Sequence, residues 1–147
     1  MKLLSPAFAD GQAIPARYSC EGADVNPALI IENVPAGTQS LALIMDDPDA
    51  PSGTFTHWAM FNLDPATSLI AENNPPKAAR GQNSAEEPGY IGPCPPSGRH
   101  RYIFTVYALD RALDLPDGVT ADRLRSAMAD RTIEQARLTG TYQKSLA

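Results

Sequence analysis

Chemically reactive side chains are scarce in this sequence. Two histidines, two cysteines and one tryptophan occur in 147 residues, so few constellations of catalytic or metal-ligating groups can be assembled. There is no CxxC pair, no HExxH-type spacing on one element and no G-x-S-x-G elbow to present a serine. No cofactor is therefore expected. Apolar runs are short as well. None approaches the roughly 20 residues of a membrane-spanning helix, and Met1-Lys2-Leu3-Leu4 opens no secretory segment. The expectation is a cytoplasmic protein without integral membrane association, periplasmic if a signal peptide has been removed. Basic charge is also lacking. Twelve Lys and Arg against 17 Asp and Glu leave a formal charge of −5, which argues against nonspecific contact with nucleic acid or anionic membrane. Repeats and low-complexity segments are absent, and the length suits one domain, residues 1–147, with a respectable core.

What the chain does hold is concentrated in two places. Asp46-Asp47-Pro48-Asp49-Ala50-Pro51 precedes His57-Trp58, and Pro95-Pro96-Ser97-Gly98-Arg99 precedes His100-Arg101-Tyr102. Each histidine stands near the start of an apolar run that alternates as a strand does. His57 falls in phase with Phe55, Ala59 and Phe61, and Trp58 with the opposite side. His100 and Tyr102 fall in phase with Phe104 and Val106. A third strand, Ser40 to Asp47, sets Leu41, Leu43, Met45 and Asp47 on one face. If it pairs antiparallel with the run at Phe55, Asp47 and His57 meet at one end of a sheet. If the run at His100 is parallel to the run at Phe55, His100 arrives there too. Tyr102, roughly 7 Å further along that face, then borders the same pocket.

The intervening loops are rich in proline and glycine, which makes them stiff and lets backbone approach a ligand. Asp47 can also serve as the cap of the Asp-Pro turn, and Asp49 reads as a turn residue. Arg99 and Arg101 read as solvated, with one available to guard the pocket mouth. Cys20 and Cys94 lie in loops beside these motifs and are candidates for oxidation, but two free thiols are the reading for a cytosolic chain. Elsewhere, Leu29 to Val34 reads as a strand and Asp64 to Gln82 as an irregular excursion. Thr120 N-caps a helix with Leu124 and Met128 on one face, and the chain then passes from a helical turn near Ile133 into a final strand.

The segments Asp47-Pro48-Asp49-Ala50-Pro51, His57-Trp58 and His100-Arg101-Tyr102 resemble the two signature regions of the phosphatidylethanolamine-binding protein family, the Raf kinase inhibitor-like proteins. Tyr18-Ser19-Cys20-Glu21-Gly22, Gly92 to Gly98 and Leu138-Thr139-Gly140-Thr141-Tyr142 are similar to its compact bacterial and archaeal-type branch. The resemblance runs through nearly the whole chain in order. It implies a mainly β fold with a large central sheet, a smaller second sheet and a short helix near the C-terminus. It further implies that Asp47, His57, His100 and Tyr102 line a small anion-binding pocket with Pro96 at its mouth, and Asp49 and Pro51 complete the candidate ligand-binding set. Small anionic or phosphorylated ligands, a phosphorylated protein partner and a homodimer are the associations it suggests. Kinase inhibition belongs to some eukaryotic members only.

Three chemistries suit these residues. The first is noncatalytic, regulatory binding of a phosphoryl group, in which the imidazoles and the phenol donate while Asp47 orients one ring and raises its pKa. The second is hydrolysis by an Asp-His pair with Ser52 or Ser97. The third is a metal held by His57, His100 and Asp47. A protein-interaction module inhibiting a kinase or protease would use the same pocket. With neutral histidines the pocket carries a net −1 and repels anions. Protonation of both rings, near pH ~6.5 for an ordinary imidazole, reverses the sign, so anion binding is expected to strengthen on acidification.

Overall fold

A central strand buried on both faces organises the molecule. In a computed structural model that describes residues 1–145, the chain forms β1 (Lys2–Leu4), β2 (Leu29–Glu32), β3 (Ser40–Asp47), β4 (Phe55–Leu63), β5 (Leu69–Ile70), β6 (Ala79–Arg80), β7 (His100–Leu109), α1 (Ala121–Met128) and β8 (Thr132–Tyr142). The five-stranded sheet has the order β6-β4-β3-β7-β8 and the three-stranded sheet the order β1-β2-β5, with every neighbouring pair antiparallel. The fold is mainly β, with a larger sheet, a smaller one and a single short helix near the C-terminus among the described residues. None of these residues forms a helix long and apolar enough to cross a membrane.

β3 is apolar at consecutive positions because both of its faces are covered. Leu41, Leu43 and Met45 join Trp58, Met60, Phe104 and Val106 on one face, against Leu3, Leu29, Ile31 and Ile70 of the small sheet. Ala42 and Ile44 join Ala59, Phe61 and Leu109 on the other face, against Leu124 and Met128 of α1. The helix and the small sheet thus cover opposite faces of the large sheet. Thr120 Oγ1 caps α1 by accepting from Arg123 N at 3.3 Å, and Asp122 lies in the first turn.

Three expectations need correction. The helical turn near Ile133 does not form; β8 begins at Thr132 because the full length of β7 is available to pair with it, Leu109↔Thr132 through His100↔Tyr142. The Asp64 to Gln82 excursion contains two short strands, β5 against β2 and β6 against β4. Pro75 and Pro76, which cannot donate to a ladder, separate them. Cys20 and Cys94 are not free thiols but a disulfide, with Cα atoms 5.5 Å apart across 74 residues of sequence. The cause is local: Cys20 N donates to Pro93 O at 3.1 Å, which lays the two cysteine loops side by side.

Candidate functional site

The site begins with strand direction. β3 is antiparallel to both β4 and β7, so β4 and β7 run the same way on either side of it and both start where β3 ends. Asp47 pairs with Phe55 on one side, and Asp46 with Ile103 on the other. His57, His100 and Tyr102 consequently gather beside Asp47.

His57 takes its place through an irregularity that strict alternation misses. Met45 pairs with Trp58 and Asp46 with Thr56, which leaves His57 as an extra residue in β4. Such a bulge re-aims a side chain. The His57 ring meets Tyr102 edge-on, with centroids 5.2 Å apart, and lies 4.8 Å from the Phe55 ring. Ala59 and Phe61, expected in phase with His57, instead face α1. Trp58, expected to point away, packs in the same cluster as Tyr102.

Asp47, His57, His100 and Tyr102 line a cavity of about 180 Å³ together with Pro51 and Pro96. Phe55, Ile91, Cys94 and Pro95 complete most of its wall; the last three belong to the proline- and glycine-rich loop before His100 that was expected to wall the pocket, whereas Phe55 was not. Asp49 is not part of the lining. Its carboxylate accepts from Arg101 N at 2.9 Å, Nε at 3.0 Å and Nη2 at 2.8 Å. Those bonds from Arg101 hold the carboxyl at about 2. Arg101 therefore fastens the turn instead of guarding the mouth, and Arg99 lines a different cleft.

Asp47 does both things expected of it. Oδ1 accepts from Asp49 N at 2.8 Å, holding the turn, and Oδ2 accepts from His100 Nδ1 at 2.7 Å. His57 Nδ1 donates to the Ile91 carbonyl at 2.7 Å. Burial pushes the His57 imidazole below its ordinary value, outweighing the Ile91 bond and the Asp47 charge, which act the other way. Joint protonation of both rings near the usual pH therefore does not hold for His57. The Tyr102 hydroxyl is the one buried side-chain polar atom without a hydrogen-bond partner among the described residues, with the Asp47 carboxylate and the Cys94 backbone beside it. Burial first, and the Asp47 charge second, push that phenol up, so it remains a donor. Neither Nε2 has a partner among those residues and neither is sealed from solvent.

The wall that Ile91 and Gly92 form beside His57 is fixed by several bonds. Ile91 N donates to His57 O at 3.0 Å, Gly92 N to Asp24 Oδ1 at 2.8 Å, and Tyr90 Oη to Tyr18 O at 2.6 Å. A Cβ at Gly92 would lie 2.2 Å from Tyr18 O and 2.3 Å from Asp24 Oδ1, so only glycine fits. The disulfide adds a covalent tie at Cys94. Ser52 and Ser97 do not line the pocket. Among the described residues no three His, Cys, Asp or Glu side chains are grouped to hold a metal ion. A larger cleft of about 560 Å³, lined by Trp58, Tyr90, Lys77 and Arg80 among others, contains neither histidine.

Comparison with known proteins agrees with this architecture. The family model described as phosphatidylethanolamine-binding protein matches residues 4–143. A UPF0098 protein of Chlamydia pneumoniae is 47% identical, covering 99% of this chain and 100% of the relative. Another, from Methanothermobacter thermautotrophicus, is 43% identical and covers 98% and 99%. The crystal structure of a phosphatidylethanolamine-binding protein homolog from Chlamydia trachomatis superposes with a TM-score of 0.95 at 44% identity, covering 98% of this chain and 97% of that one. E. coli YbcL, described as a member of the mammalian family, gives 0.91 at 25% identity and covers 98% of each chain. With the matched region spanning nearly its whole length, the chain belongs to the phosphatidylethanolamine-binding protein family.

Proposed function

We propose that this protein is a noncatalytic, regulatory receptor for a small phosphoryl anion, held in the pocket of His57, His100 and Tyr102. The observation that carries the reading is a buried phenol hydroxyl with no protein partner, in the wall of a preformed cavity that two anchored imidazoles also line. Buried polar groups are rarely left unpartnered, and an oxyanion oxygen would satisfy this one. Asp47 acts as a positioning residue, since both of its oxygens are already engaged by Asp49 N and His100. Pro51 and Pro96 supply stiff apolar walls. The hydrolytic alternative is weakened because neither loop serine lines the pocket. A disulfide persists in oxidising surroundings, which favours the periplasmic over the cytoplasmic placement.

Calorimetric titration with phenyl phosphate tests the reading. Loss of a hydrogen bond to a charged group costs about 1.5–3 kcal/mol. Tyr102→Phe and His100→Ala should therefore each weaken binding by about 10- to 100-fold, while Ser97→Ala leaves it unchanged. Release of phenol by the wild type but not by Ser97→Ala would favour the hydrolase instead.

A further inference from the structure

Both imidazoles are held in one tautomer by their partners. A carbonyl only accepts, so the hydrogen between His57 and Ile91 sits on His57 Nδ1. An ionised carboxylate likewise only accepts, so His100 Nδ1 carries the hydrogen it shares with Asp47 Oδ2. In each neutral ring Nε2 is left with a lone pair and no hydrogen. An oxyanion oxygen also presents lone pairs. Where such an oxygen meets Nε2, a hydrogen has to come between them.

Nothing else in the pocket removes that need. Its lining includes no Lys or Arg, and Tyr102 brings one hydrogen only. The charged groups nearest the two rings are acidic, and two of them are offset by arginines. Asp47 faces them from β3. Asp46, on the same strand, is paired with Arg125 of α1, and Asp49 in the turn is paired with Arg101. Asp24 approaches from the cysteine loop and accepts from Gly92 N. Negative surroundings of this kind oppose a fully ionised guest and favour one that brings a proton.

We propose that the pocket takes a phosphoryl anion together with a proton, admitting a phosphate monoester in its singly protonated form and disfavouring the dianion. The inference rests on the anion-binding reading above. The proton occupies the hydrogen bond between a phosphoryl oxygen and Nε2 of His57 or His100. No bond to phosphorus forms or breaks, and the proton returns to solvent when the ligand leaves. Monoesters gain this proton near pH ~6, so occupancy rises on acidification and the pocket works as an acid-gated receptor.

Titration of the full chain with phenyl phosphate near pH 7.5, in two buffers of different protonation enthalpy, counts the protons. The expected result is uptake of about one proton or more per ligand, with Kd weakening by about tenfold per pH unit between pH 7 and 8.5. Tyr102→Phe loses a group that supplies its own hydrogen, so it should bind more weakly with the proton count unchanged. Binding with a count near zero, or with affinity flat across that range, overturns the proton coupling and leaves the anion reading standing. Absence of binding at every pH from 5.5 to 8.5 overturns both.

Discussion

His57 is a buried base whose stability cost depends on pH. Its folded pKa lies below the ordinary value of 6.5, chiefly through burial. Between the two values the unfolded chain binds more protons than the folded one, so stability falls as pH drops below about 6.5. His57→Leu removes this dependence. Urea unfolding at pH 7.5 and 5 should therefore show a smaller acid loss in the variant than in the wild type. An equal loss in both would place the acid sensitivity elsewhere. Much at this scale was legible in advance: Asp47, His57, His100, Tyr102, Pro51 and Pro96 line one cavity, as the two motif segments suggested. Asp49 read as a turn residue yet stayed in the candidate set, because its partner Arg101 lies 52 residues away. The carbonyl of Ile91 was invisible for a different reason. Any residue carries such an oxygen, and only the path of the loop decides which one meets His57.

At the scale of elements, alternation identified β3, β4 and β7, and the Thr120 cap identified α1, since these signals are local. It failed at the bulge. An extra residue at position 57 shifts the phase of β4, and nothing in Thr56-His57-Trp58 marks it. The short strands β5 and β6 were missed because two residues carry no periodicity, and their pairing depends on β2 and β4. The arrangement separates two kinds of substitution. Thr120→Ala, on the helix-covered face, should cost about 1 kcal/mol of stability and leave phenyl phosphate affinity unchanged. Gly92→Ala forces the pocket wall away from Tyr18 O and should weaken that affinity by about tenfold or more. Thermal unfolding and calorimetry on the two variants check both expectations; equal effects on affinity would contradict the division of labour between the faces.

For the whole molecule, the Cys20–Cys94 link joins the loop near the first 3-10 turn, Ala16–Tyr18, to the pocket wall. By the chain-entropy argument a loop of this length contributes about 4 kcal/mol. Denaturant unfolding with and without a thiol reductant should differ by an amount of that order, and a difference near zero would show that reduction relieves no constraint. Two cysteines 74 positions apart could not announce the bond, because free thiols and a loop crosslink have the same spacing in sequence.

The central claim concerns what meets the two Nε2 atoms. Nitrogen-15 NMR of the imidazole rings, recorded while inorganic phosphate is added near pH 6.5, observes them directly. The account predicts that the Nε2 resonance of His57 or of His100 moves toward the protonated range while each Nδ1, held by Ile91 and Asp47, changes little. Saturating phosphate that leaves both Nε2 resonances where they were would contradict it.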